Sequence, residues 1–170
     1  KAREILEPVK TLLLAARGKY RSMAFPDPPV LNVVLLTLDP TTQANASGGD
    51  TIRVNLAKWS ETDTLTQQHA VAHEYFHVIQ QQQRLTNIRA LSLDISTRDI
   101  SPAASRWMDE GTAQWMACRL YPEGTGNALA RVQKDFCFKE LDLYEEGKGK
   151  SPHEYQTYIF FAWLDTLYDA

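Results

Sequence analysis

The chain has 170 residues, a formal net charge of −3 and 44% hydrophobic residues, the make-up of one ordinary globular domain that can bury a core without disulfides. No cluster of Lys and Arg stands out, which argues against nucleic acid as the main partner. The longest apolar runs, Leu12 to Ala16, Val33 to Leu36 and Ile159 to Leu164, fall far below the ~20 residues of a membrane-spanning helix.

Lys1 to Arg17 predicts a helix, with Ile5, Leu6, Val9, Leu12, Leu13 and Ala16 at helical spacing, Pro8 as a kink or first-turn residue and Gly18 as the stop. Phe25-Pro26-Asp27-Pro28-Pro29 excludes regular structure. Val30 to Leu38 reads as a buried strand, and Asp39 to Asp50 as a loop with Asn45, Ser47, Gly48 and Gly49 as turn residues. Asn45-Ala46-Ser47 has the form of a glycosylation sequon, a triplet that also arises by chance. Thr51 to Leu56 alternates polar and apolar, as a strand with one wet face does.

The central helix is predicted over about Leu65 to Arg84. Thr64 and Gln67 have capping-box spacing at its start, and Val71, Tyr75, Val78 and Ile79 form its apolar stripe. Leu85 to Arg106 is ambiguous, with Leu91 to Ile95 as a possible short strand. Ser101-Pro102 suits a helix start, and a second helix runs over about Trp107 to Leu120. A turn at Gly124 to Gly126, a third helix over 127–146, a loop at 147–150 and a last helix from Pro152 complete the chain. Strands gathered at one end of the sequence indicate α+β rather than alternating βαβ units. The expected organisation is one domain in two lobes, 1–84 carrying the sheet and central helix and 85–170 mostly helical.

His73-Glu74-Tyr75-Phe76-His77 is H-E-x-x-H on the central helix. Residues four apart share a helix face, so both imidazoles can ligate one Zn²⁺, while Glu74 beside them can take a proton from water without ligating. Chance placement of this chain's four His and its Glu residues gives such a match in about half a percent of cases. A catalytic zinc needs a third protein ligand, and Glu110, in Trp107-Met108-Asp109-Glu110-Gly111-Thr112-Ala113, is the best candidate on a helix of its own. Small Gly111 and Ala113 would let that helix approach closely. Asp109 either orients a ligating histidine or is a surface carboxylate.

H-E-x-x-H followed by Trp-x-x-Glu-Gly-x-Ala resembles the gluzincin zinc peptidases, which include thermolysin-like and aminopeptidase-N-like enzymes. The resemblance is close from the Thr51 strand through the second helix. It implies a zincin-like fold, one Zn²⁺ held by His73, His77 and Glu110, Glu74 as general base, and a peptide or protein substrate. It also implies a strand lining the cleft ahead of the motif helix, for which Ile52 to Leu56 is in the expected place. In the C-terminal segment Tyr155 aligns with the tyrosine that donates to the oxyanion, with His153 and Tyr158 as rivals. The chain departs from the pattern in three places. Thirty-two residues (78 to 109) separate His77 from Glu110, more than in the best-known members. No Gly-x-Met-Glu-Asn element precedes the helix, which points to an endopeptidase. Tyr158 stands where a glycine is usual.

Other readings of the residues stay open: a metal-binding domain without proteolysis, or a zinc hydrolase of a non-peptide amide. The fourth histidine, His69, lies two turns from His77, roughly 12 Å along the axis, and cannot share a metal with it. Gln80 to Gln83 reads as the exposed end of the central helix. Cys118 and Cys137, both among apolar neighbours, read as two buried thiols or one disulfide. Lys1 and Ala170 read as the cut edges of a longer precursor, which points toward a secreted or cell-envelope protein.

Overall fold

A computed structural model describes residues 2–28, 31–40, 42–47, 49–90, 102–124 and 161–162. In chain order these form helix α1 (Ala2–Ser22), strands β1 (Asn32–Leu36), β2 (Ala44–Ser47) and β3 (Thr51–Asn55), a one-turn helix α2 (Leu56–Trp59), the long helices α3 (Thr64–Ala90) and α4 (Pro102–Leu120), and a 3-10 turn at Pro122–Gly124. The described part is α+β, with one small sheet and several helices.

The sheet has the order β1-β3-β2, with β1 parallel and β2 antiparallel to β3. Ile52 and Val54 of β3 are fully buried, and Val33, Leu35, Ala44 and Ala46 stand beside them on the same face. Arg53 and Val34 lie on the other face, exposed. The alternation expected for Thr51 to Leu56 holds over Thr51 to Val54, whereas Asn55 is fully buried and Leu56 already opens α2. Two expectations change. Of the expected 30–38 strand, Asn32–Leu36 is extended, and among the described residues it stands at a sheet edge with Val34 exposed on the outer face. Residues 39–50 are not all loop, since Ala44 to Ser47 pairs with β3.

Helix α1 does not stop at Gly18. It ends at Ser22, where Ala24 adopts the left-handed conformation (φ 63°). The Phe25 N–H then donates to Tyr20 O at 3.1 Å and the Ala24 N–H to Arg21 O at 3.0 Å, which satisfies the last carbonyls of the helix. The Tyr20 and Phe25 rings meet edge-on at 5.8 Å across this stop. Arg17 follows with a two-point bond to Asp27, Nε to Oδ1 at 3.1 Å and Nη2 to Oδ2 at 2.9 Å, pinning the proline-rich segment against the helix.

Helix α3 is the centre of the packing. Val71, Ala72, Tyr75, Phe76, Val78 and Ile79 are all buried, so the predicted stripe is broadened to most of the helix by α1 on one side and α4 on another. Its N-cap is Asp63 rather than Thr64: Oδ1 accepts from the Thr66 N–H at 2.8 Å. Gln67 instead donates through Nε2 to the carbonyls of Trp59 and Thr62. Helix α4 is described from Pro102, ahead of the Trp107 start expected for the second helix. Its end is tied to α1 by Lys19, whose Nζ donates to Leu120 O at 2.6 Å and sits over the Tyr121 ring. Asn55 is fully buried at the junction of β3 and α2. Its amide donates to Asp39 O and Thr42 O, and its Oδ1 caps Ala57 N–H.

Candidate metal centre

His73 and His77 share one face of α3, and Glu110 comes to them from α4. His73 Nε2 lies 3.0 Å from His77 Nε2 and 3.2 Å from Glu110 Oε2, and His77 Nε2 lies 3.4 Å from the same oxygen. These three groups form a cluster whose donor atoms can hold a metal ion. The spacing fits the chemistry: ligands at ~2.0–2.2 Å on the corners of a tetrahedron stand ~3.3 Å from one another. Two imidazoles and one carboxylate are also the donor set that zinc takes in catalytic sites. His73 is buried and the other two nearly so.

Helix spacing explains why the histidines converge. Glu110 reaches them because Gly111 and Ala113 beside it are buried small residues, as the sequence leads one to expect. Burial works against the Glu110 carboxylate, but hydrogen bonds and charge from His73 and His77 outweigh it and hold its pKa far below the usual range. Burial likewise works against the His77 cation, and Glu110, Glu74 and Gln80 together leave its pKa raised.

Glu74 is half-buried beside this cluster on the same helix, and its Oε2 accepts from the Ala46 N–H at 2.6 Å. Ala46 belongs to β2, and its N–H points away from β3 toward Glu74. Among the described residues the sheet edge that faces the motif helix is therefore that of β2 and not that of Ile52 to Leu56. β3 has a partner on each side and no edge to offer.

The carbonyl of Asp109 accepts from Gln80 Nε2 at 3.0 Å, and Gln80 Oε1 meets His77 Nδ1 at 2.8 Å. Gln80, placed by sequence at an exposed helix end, is half-buried and touches the far side of the His77 ring. Its spacing of three from His77 was the available signal, since residues so placed are helix neighbours. His69 stays out of the cluster, with Nε2 3.4 Å from the Sγ of buried Cys118. Tyr155, Tyr158, His153 and Cys137 lie outside the described residues, as do the strand expected at Leu91 to Ile95 and the helix over 127–146. Of the last expected helix, residues 161–162 are described. They are helical, and the Phe161 ring centroid lies 6.5 Å from that of Trp115 on α4. Among the described residues no helix is long and apolar enough to cross a membrane.

Comparison with curated proteins and with solved structures returns no match. A family model does match, over residues 31–167, a span that runs from the start of the sheet through both helices that carry the cluster. The chain belongs to that family, DUF6055, described as a family of unknown function.

Proposed function

We propose that this chain is a zinc-dependent peptidase of gluzincin type, acting as an endopeptidase with His73, His77 and Glu110 as metal ligands and Glu74 as general base. The observation that carries the proposal is the convergence of His73 Nε2, His77 Nε2 and Glu110 Oε2 within 3.0–3.4 Å beside the Glu74 carboxylate. A zinc ion bound there supplies Lewis acidity, lowering the pKa of water and polarising a carbonyl. Glu74 takes the proton from the attacking water and passes it to the leaving nitrogen. The Ala46 N–H holds the Glu74 carboxylate in place and leaves one oxygen to do this. A peptide substrate pairs with the outer edge of β2, which sets its scissile bond against Glu74. Tyr155 is the proposed donor to the oxyanion.

Metal content of the purified chain, measured by elemental analysis for wild type and Glu110→Ala, is the first test. About one zinc per chain in wild type and clear loss in the variant is the expected result. Zinc-loaded protein that cleaves no peptide in a library, with Glu74 intact, would leave a metal-binding domain and remove the peptidase. No zinc in either protein removes both.

A further inference from the structure

We infer that Gln80 is a positioning residue of the metal centre, fixing the His77 ring with its proton on Nδ1 and its Nε2 lone pair toward His73 and Glu110, and tying that ring to α4. The inference rests on the proposed metal reading for its purpose, though not for its geometry.

The Asp109 carbonyl oxygen can only accept a hydrogen bond. It lies 3.0 Å from one end of the Gln80 amide, so that end is the nitrogen. The same nitrogen donates its other hydrogen to Thr112 Oγ1 at 2.6 Å, and that hydroxyl in turn donates to Asp109 O at 3.2 Å. The oxygen end of Gln80 therefore faces His77 Nδ1, at 2.8 Å. An amide oxygen can only accept, so Nδ1 carries a proton. In the neutral ring the lone pair is then on Nε2, the atom that points at the other two donors. A backbone carbonyl on α4 thus dictates the tautomer of a ligand on α3.

The amide also spans the two helices that supply the ligands. It touches α4 at Asp109 and Thr112, on either side of Glu110 in sequence. Movement of α4 that would pull Glu110 away breaks the same bonds that orient His77. The next glutamines serve elsewhere. Gln82 donates to Gly49 O at 3.1 Å in the β2–β3 turn, and the Gln81 side chain lies where a Cβ on Gly49 would sit. Gln83 is exposed.

The test uses the whole chain, stripped of metal, as wild type, Gln80→Leu, Gln80→Glu and the exposed control Gln83→Leu. Nitrogen-15 NMR of the histidine rings, at a pH where they are neutral, reads the His77 tautomer directly. Titration with zinc against a chelator reads affinity, and far-UV circular dichroism checks the fold. Wild type and Gln83→Leu are expected to show Nδ1–H at His77. Gln80→Leu should show a tautomer mixture and a zinc affinity about 10–100-fold lower. Gln80→Glu keeps an oxygen for His77 but loses the donor to Asp109 O, so it should restore the Nδ1–H tautomer and only part of the affinity. A wild-type His77 protonated on Nε2 overturns the inference, as does a folded Gln80→Leu with wild-type zinc affinity. A wild type with Nδ1–H at His77 that binds no zinc instead overturns the metal reading while leaving the amide geometry standing.

Discussion

Against α1, helix α3 presents rings and aliphatic chains; against α4 it also presents His73, His77 and the Gln80 amide. On the α1 side Tyr20 stacks on Tyr75 with centroids 5.7 Å apart and packs against Phe76 at 5.6 Å, above buried Ile5, Val9, Leu13 and Ala16. On the α4 side His73, His77 and Gln80 meet Glu110, Asp109 and Thr112. The first contact is held by area removed from water and tolerates no holes. The second adds directed polar bonds to the burial of Ala113, Met116 and Ala117 of α4, and its polar groups are the ones that can hold an ion. Changes on one side should therefore move stability, and changes on the other should move metal binding and activity.

The largest effect expected on the polar side is Glu74→Gln, which should keep zinc and lose roughly 10²–10⁴-fold in peptide hydrolysis. If zinc is lost as well, Glu74 is a ligand and the division of labour at the site is wrong. On the apolar side Leu13→Ala should cost ~2–5 kcal/mol in urea unfolding. Its zinc affinity under native conditions should be that of wild type, and a parallel loss of both would show that the two sides are not separable.

The pH dependence sharpens the comparison through one residue. The His77 pKa is raised in the metal-free chain, so a proton competes with the ion from above the ordinary histidine range. Apparent zinc affinity should be flat at high pH and fall about tenfold per unit as pH drops below that pKa. Metal-free stability runs the other way. A raised folded-state pKa contributes stability that is full below the unfolded value and is lost as pH rises through the folded one. Glu110, with its depressed pKa, adds a contribution present above the ordinary carboxylate value and lost progressively as pH falls from there toward its folded-state pKa. Zinc titrations and thermal melts of apo protein across neutral pH should thus slope in opposite directions.

The smallest effects lie at the end of α1. Ala24→Gly should stabilise by about 0.5–1 kcal/mol, since alanine pays a steric penalty at its φ of 63° that glycine does not. Tyr20→Phe should cost about 1 kcal/mol by losing the bond from its hydroxyl to Ala72 O, whereas Tyr75→Phe should cost nothing or stabilise slightly. Among the described residues the Tyr75 hydroxyl is buried with no hydrogen-bond partner, and burial pushes its pKa up to about 12. Differential scanning calorimetry of the three variants orders them.

How far the sequence could be read follows from what holds each part. The α3 stripe and the His73–His77 pair were legible because helix periodicity is local. Glu110 was legible through its surrounding motif. Strand β2 was not: Ala44-Asn45-Ala46-Ser47 has no β-branched or aromatic residue, and its extended form comes from pairing with β3. Gly18 misled because Gly18 needs no special backbone, while the left-handed residue that ends α1 is an alanine. Gln80 was hidden because its partners on α4 are a carbonyl and a hydroxyl far along the chain, which no local pattern announces.

The bond from Lys19 to Leu120 O joins residues 101 apart in sequence. Closing so long a loop is an entropic cost that must be met before the contact repays it, and contacts of this range slow folding. The helix that carries Glu110 is thus fastened at its far end to the first helix of the chain. The placement of Glu110 therefore draws on the docking of α4 against α1 as well as on its packing against the motif helix.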